Sequence, residues 1–187
     1  MRYMFFRKNL AEVKEPDNDT LTKVNASYKL ETFKPDWLHI MPKGMNVTLI
    51  GMYQSLVFII WWFLYLAMWK RQDKSYEHYL VYDGERLIHY SVVLPRYYRY
   101  PFMGSNDIQI GPYWTAEEYR GQGICPFIIR KTLSDYQLRR GYAYVLISED
   151  NLKSQRSAIR GGVDFYGYGI RTRGPLGKFL LDPDVKG

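Results

Sequence analysis

Between Arg120 and Cys125 the chain reads Arg-Gly-Gln-Gly-Ile-Cys, with Pro126 next. This stretch has the makings of a phosphate site. Glycines adopt backbone angles that a Cβ resists, and a proline suits the first position of a helix, where a missing N–H costs nothing. Free amides at a helix N-terminus then attract a diphosphate. No lysine-serine ending marks a P-loop, and no acidic residue stands at the spacing of a dinucleotide fold. The other reactive side chains are sparse. His39, His78 and His89 are too scattered for a metal site, so none is expected. The single cysteine excludes an internal disulfide and a cysteine-based zinc centre. No Gly-x-Ser-x-Gly signature appears. His89 is the most attractive general base, because a neutral imidazole titrates near neutral pH and suits proton removal from a hydroxyl or ammonium. Strict alternation puts Leu87, His89 and Ser91 on one face of a strand, with Ile88, Tyr90 and Val92 on the other. Glu149 and Asp150 are rival bases at the end of an apolar stretch, where they read equally as a solvated strand end.

The elements that must position these residues are legible in outline. Ile108–Thr115 is a predicted strand, broken by Gly111-Pro112, that runs into the glycine loop. Phe127, Ile128, Leu133 and Leu138 give the following helix an apolar face, and Gly141 ends it. Tyr142–Ser148 reads as a strand buried on both faces. Asn151–Arg160 is a short helix that Asn151 can cap, closed by Gly161-Gly162. Asp164–Thr172 and Lys178–Leu181 close the chain as a pair of strands. Upstream, Met1–Arg7 is a first strand. Residues 8–34 read as polar, with a loop at Pro16, Asp17, Asn18 and Asp19, and Asp36 can cap a short helix through Trp37, Leu38 and His39. Tyr76–Tyr82 and Arg86–Leu94 form a hairpin around Asp83-Gly84. Pro95–Asn106 is a basic, aromatic loop or strand extension.

The 187 residues suit one domain over 1–187, with a net charge of +7. That charge fits an anionic ligand or a membrane surface; no dense basic run or reading motif marks a nucleic-acid partner. The lone cysteine and the missing signal-peptide pattern lead to the expectation of a cytoplasmic setting. The oddest segment is 44–69, which holds no charged residue and is continuously apolar from Leu56 to Trp69. Three readings stand: a core helix, an interfacial helix anchored by Trp61, Trp62, Tyr65 and Trp69 with Lys70, Arg71 and Lys74 at the headgroups, or a spanning helix. Spanning takes about 20 apolar residues, which this segment reaches only by counting Asn46, Thr48, Gln54 and Ser55. It also sits poorly with a first strand that shares a sheet with later ones.

Arg120–Cys125, preceded by Glu118-Tyr119, resembles the R/Q-x-x-G-x-G/A signature of the GNAT acyltransferases. The order of elements is similar to the GNAT fold over nearly the whole chain, a mixed central sheet flanked by helices (α/β class). Cys125 departs from the usual Gly or Ala, and Pro126 removes one donor. The resemblance implies that Arg120, Gly121, Gln122, Gly123, Ile124 and Cys125 hold the pyrophosphate of acetyl-coenzyme A. Tyr113, Trp114 and Thr115 would meet its pantetheine arm, and Asn151 would contact the cofactor as well as cap its helix. The family's thiolate acid is commonly a tyrosine in the helix after the Asn. Ala158 holds that position here, leaving Tyr166, Ser157 or a water as substitutes, with Tyr166 preferred. The chain also resembles GNAT-like proteins of bacterial surface-polysaccharide assembly, through LIHYS (87–91), IGP-W (110–114) and YRG-GI-P (119–126). The implied activity is acetyl transfer to an amine or hydroxyl, of a small molecule or of a sugar or sugar-nucleotide. Tyr97–Phe102 would stack on the sugar, and Arg96 and Arg99 would hold an acidic group. A non-catalytic coenzyme A-binding protein, peripheral to the inner face of a membrane, is the other reading.

Overall fold

The computed structural model describes residues 2–13, 27–45, 52–70, 75–174 and 177–186. The loop expected at Pro16–Asp19 lies outside the described residues, as do Asn46, Thr48, Arg71 and Lys74. Eight strands make one sheet in the order β2-β3-β4-β5-β6-β1-β7-β8. They are β1 Arg2–Asn9, β2 Tyr28–Phe33, β3 Glu77–Asp83, β4 Arg86–Pro95, β5 Ile108–Thr115, β6 Tyr142–Ser148, β7 Asp164–Arg171 and β8 Phe179–Lys186. Among these strands, only β5 and β6 pair in parallel. The helices are α1 Met52–Leu64, continued by a π-helical turn over Tyr65–Trp69, then α2 Ile124–Asp135 and α3 Leu152–Arg160. The sheet is mixed and flanked by helices, as expected.

The hairpin turns at Asp83-Gly84, with Gly84 at φ 58, where glycine avoids the clash a Cβ would meet. Three expectations are corrected. Tyr28–Phe33, within the stretch read only as polar, is edge strand β2: Tyr28 and Leu30 pack on the core while Lys29 and Glu31 pair outside it. Asp36 caps no helix; its Oδ1 accepts from the amides of Leu38 (2.8 Å) and His39 (2.7 Å) and folds a turn. The helix after the glycine loop begins at Ile124, so Pro126 is its third residue, and it ends before Leu138, which is exposed.

Each face of the sheet has its own core. Phe6, Ile88, Ile110 and Val145 meet Ile124, Ile128 and Leu133 of α2 and Ala158 of α3. On the other side, Leu80, Leu87, Tyr90 and Val92 meet Phe58, Trp61, Tyr65 and Trp69. A third cluster gathers Phe5, Tyr100, Met103, Tyr144 and Phe179. The loop at 95–106 therefore turns its rings inward: Tyr100 is buried, and of its rings Tyr98 stands exposed.

The apolar segment is two-faced. Phe58, Trp61, Tyr65 and Trp69 recur at helical spacing and are buried, as the core reading requires. Leu56, Ile59, Ile60, Phe63 and Met68 lie exposed on the opposite side, beside exposed Trp37 and Leu38. Trp62 is fixed between them, donating its Nε1–H to the Asp36 carbonyl at 2.7 Å. No helix of the described residues is long and apolar enough to cross a membrane. Trp61→Ala should lower stability by about 3–5 kcal/mol in urea unfolding. Phe63→Gln should change it by about 0.5 kcal/mol or less, because its ring touches water.

Candidate active site

β5 and β6 separate. They pair at Ile108 with Ala143 and at Gln109 with Tyr144, and nowhere beyond. β5 then follows β4 alone, with Ser91 opposite Tyr113, while β6 follows β1 up to Ser148 opposite Tyr3. Pro112 has no N–H to offer a neighbour, and Gly111, at φ 124, holds a backbone angle that favours glycine. The gap is a cleft of about 320 Å3. Its sheet walls are Gln109–Tyr113 on one side and Leu146–Ser148 on the other. Asn151 and Ser154 of the α3 region close one side, Val57, Phe58 and Trp61 of α1 another, and Arg99, Tyr100, Arg171 and Phe179 a third.

The polar groups here are unusually unoccupied. Gln109 is 5% exposed, and its Oε1 has no partner although its Nε2–H donates to the Ile110 carbonyl at 3.0 Å. The Arg171 Nε is also enclosed without a partner among the described residues, and the enclosed Tyr113 hydroxyl lies beside the Ser154 side chain. Buried polar groups ordinarily find partners, so the Gln109 Oε1 and the Arg171 Nε on one cleft call for an occupant, a ligand or water. Burial raises the Tyr113 pKa. Burial also raises that of Tyr100, against the pull of the Arg99 and Arg171 charges. Both hydroxyls keep their protons.

No family model and no curated relative matches the sequence. Solved structures match in shape. The glucosamine N-acetyltransferase region of a fungal multi-domain β-N-acetylglucosaminidase gives a TM-score of 0.56 at 13% identity, over 90% of this chain and 20% of that one. A tandem GNAT protein from the clavulanic acid biosynthesis pathway gives 0.52 at 15% identity, over 88% and 50%. A GNAT-family protein from Novosphingobium aromaticivorans gives 0.51 at 16% identity, over 89% and 61%. The chain has the GNAT fold. It spans at most 61% of the length of these three chains.

Within the GNAT fold, β5 leads from the cleft to the glycine loop. Gly121 (φ 81) and Gly123 (φ 84) both take left-handed angles, and Gly123 is the N-cap of α2. The first turn leaves the amides of Ile124 and Cys125 without intrahelical acceptors. Arg120 anchors the loop by donating its Nε–H to the Thr115 carbonyl at 3.1 Å. Gln122 accepts from the Tyr28 hydroxyl at 2.7 Å. Ile124 is buried beneath the loop, and burial pushes the Cys125 thiol up to about 12, so it remains protonated. Tyr113 lines the cleft, whereas Trp114 stacks on Tyr90 on the α1 face, with centroids 5.9 Å apart. Asn151 lines the cleft and caps α3, accepting from the Ser154 amide at 3.1 Å.

The expected acid and base are not brought to this place. A bulge in β4 leaves Ile88 as an extra residue, with Val81 opposite His89 and Tyr82 opposite Leu87. The bulge breaks the expected alternation, so Leu87 joins Tyr90 on the α1 face while Ile88 packs on the α2 face. His89 is fully buried, its Nδ1 is 2.8 Å from the Thr115 hydroxyl, and burial pushes its pKa down to about 3. That is a poor base at neutral pH, and His89 does not line the cleft. Tyr166 lies instead under the Arg7 guanidinium, 3.6 Å from its ring centroid. Ala158 faces the core, and Ser157 bonds back to the Lys153 carbonyl. Glu149 pairs with Arg2 on the surface, and Asp150 accepts from the Ser148 hydroxyl. Arg96 is exposed and outside the cleft. Sequence reasoning misses Arg171, Gln109 and Ser154. Only strand register and the inward turn of the 95–106 loop bring them together with Tyr100, although an arginine closing the aromatic run at 165–171 is a visible signal.

His78 shares the state of His89, fully buried among the rings of Phe33, Phe58 and Tyr76 with a pKa pushed down to about 3. Both folded pKa values lie below the unfolded value of about 6.5, so the unfolded state binds more protons between those limits. Stability is therefore full above about pH 6.5 and falls as pH drops toward 3, by up to about 1.4 kcal/mol per pH unit for each histidine. Urea unfolding between pH 7 and 5 should show this slope, and His89→Gln should remove about half of it.

Proposed function

We propose that the chain binds acetyl-coenzyme A along β5, from the Arg120–Cys125 loop into the cleft, and transfers the acetyl group to an amine. The parting of β5 from β6 carries this reading. It leaves a strand edge whose backbone groups an extended amide chain can bond, and a pantetheine arm is such a chain. The loop's two left-handed glycines and the free amides of the first α2 turn suit the pyrophosphate. Bound there, acetyl-coenzyme A supplies an activated acetyl thioester. Tyr113 would place a protonated hydroxyl in the cleft, able to donate toward a developing thiolate, whereas Tyr166 does not line the cleft. Among the described residues, the cleft lining has no carboxylate or imidazole. With no such base in the lining, an amine that arrives neutral is already a nucleophile, whereas a hydroxyl must lose its proton to react. An amine acceptor is preferred for that reason. Trp61, Tyr100, Tyr113 and Phe179 give the cleft aromatic walls that suit a sugar ring, in keeping with the resemblance to polysaccharide-assembly proteins.

The outer face of α1 adds a location. Exposed Leu56, Ile60 and Phe63, with Trp37 and Leu38, would dip into a lipid surface, and the exposed lysines Lys34, Lys43 and Lys70 flank these segments in sequence. An anionic membrane is the partner this combination fits.

Titration calorimetry with coenzyme A tests the cofactor site. Gly123→Val puts a branched side chain at φ 84 and should weaken binding at least about tenfold. Unchanged affinity would overturn the loop assignment, and binding without thiol release across amine acceptors would leave a coenzyme A-binding protein. For the location, the protein should sediment with anionic vesicles and be only partly released by salt, since buried apolar area persists when charges are screened. Ile60→Gln with Phe63→Gln should free it without changing its melting temperature by more than about 2 °C. A wild type that ignores vesicles would end the membrane reading. Replacing Trp61 is unsuited to this test, because Trp61 is core.

A further inference from the structure

We infer that the acceptor carries an anionic oxygen group, a carboxylate or a phosphate, and that Arg99 and Arg171 hold it at one wall of the cleft; this rests on the acetyl-transfer reading of that cleft. Arg99 lies in the β4–β5 connection and Arg171 is the last residue of β7, yet they converge on Gly177. The Arg99 Nε–H donates to the Gly177 carbonyl at 3.1 Å. The Arg171 Nε lies 3.2 Å from where a Cβ on Gly177 would stand. Both charges act on the buried Tyr100 hydroxyl, which lies within their reach.

Neither guanidinium has a counter-charge among the described residues. No carboxylate of that set lies within 4.0 Å of either one, whereas Arg2, Arg86 and Arg120 each have an acidic neighbour. The Arg171 Nε is enclosed with no hydrogen-bond partner among the described residues. Two like charges on one wall, partly withdrawn from water and unpaired, are unfavourable until an anion joins them. The planar fork of a guanidinium matches the two oxygens of a carboxylate or phosphate.

The wall is built to hold this arrangement. A Cβ on Gly177 would come within 2.2 Å of the Thr172 carbonyl, so the turn admits glycine alone there. The Phe179 amide donates to the Arg99 carbonyl at 2.8 Å, and the Thr172 amide to the Lys178 carbonyl at 2.9 Å, fixing both arginine backbones to one turn. Coenzyme A phosphates are not the intended anion, because no residue of the Arg120–Cys125 loop lines this cleft. The partnerless Gln109 Oε1 supplies the complementary feature, an acceptor for an N–H or O–H of the same ligand. A compound with an amine and an anionic group a few bonds apart satisfies both ends.

Three probes sharing one amine test this: glucosamine, glucosamine 6-phosphate and muramic acid. In acetyl-coenzyme A thiol-release assays, one or both anionic compounds should show a KM at least about tenfold below that of glucosamine. Which one does so separates phosphate from carboxylate. Arg171→Gln and Arg99→Gln should each erase that advantage, leaving the glucosamine KM and the coenzyme A Kd unchanged, and Arg171→Lys should restore part of it. Melting temperatures of the unliganded variants report folding; if Arg99→Gln unfolds through loss of its Gly177 bond, Arg171→Gln decides. Direct titration of the same probes, followed by intrinsic tryptophan fluorescence, to which Trp61 in the cleft lining contributes, tests the subsite even where no acetyl transfer occurs. A saturable change with an anionic probe that Arg171→Gln abolishes supports the subsite, and failure of turnover then counts against transfer alone. Equal KM or equal binding for neutral and anionic probes, or wild-type values in both variants, would overturn the proposal.

Discussion

The molecule depends on two strands that pair briefly and then part. β5 and β6 share two residue pairs, and beyond them each keeps one partner, β4 or β1. The sheet thus loses one ladder without losing its continuity. The cost is a set of backbone groups along an internal edge with no neighbour, and an enclosed edge of that kind calls for a ligand or water to pair with it. Packing keeps the gap from closing. α2 and α3 lie against each other on one face, where a Cβ on Gly161 would sit 2.6 Å from Ile129. On the other face, α1 and the loop carrying Tyr97, Tyr100 and Met103 fill the space above the parted strands with rings.

The two layers give the cleft two kinds of wall. On the α3 side are small polar groups, Ser148, Asn151 and Ser154, with the backbone of β6 between them. On the opposite side are rings and guanidiniums. An extended amide chain suits the first wall, and a compact ligand with an apolar face and an anionic group suits the second. Burial reinforces the division: it keeps the Tyr113 and Tyr100 hydroxyls protonated and His89 neutral, so over the physiological range the charge near the cleft comes from the arginines. A positively charged, aromatic pocket with no carboxylate among its described lining residues would discriminate by sign before it discriminates by shape.

How much of this is legible in the sequence follows from how far apart the deciding residues are. The hairpin at Asp83-Gly84, the glycine loop, the Asn151 cap and the closing strand pair rest on signals within a few residues, and all are readable. β2 escapes because an edge strand with Lys29 and Glu31 on its outer side looks like a polar loop unless Tyr28 and Leu30 are read as alternation. The placement of His89 fails for a different reason. Alternation is a rule of two-residue periods, and one bulge residue, Ile88, reverses the phase on one side of it. The bulge depends on how β4 lies between β3 and β5, which no local pattern records. The apolar segment reads as core or as interface, while the structure gives it one buried face and one exposed face.

The same reasoning explains why the acceptor side is the least readable part. The residues expected to bind the cofactor are mostly consecutive, at 113–115 and 120–125, because an extended phosphorylated chain is met by a strand and the loop that follows it. A compact acceptor must be surrounded instead. The cleft wall proposed for it draws Gln109 from β5, Trp61 from α1, Arg99 and Tyr100 from a loop, and Arg171 from the far end of β7. Nothing in their spacing connects Arg99 with Arg171. They meet because β7 pairs with β8 and the Phe179 amide bonds back to the Arg99 carbonyl. A linear motif survives in a sequence as a motif, whereas an enclosing pocket appears only once the register of the sheet is fixed. Each of these two arginines stands beside aromatic residues in the sequence, but what brings them together as a fork of two guanidiniums is the pairing of Arg171 with Phe179.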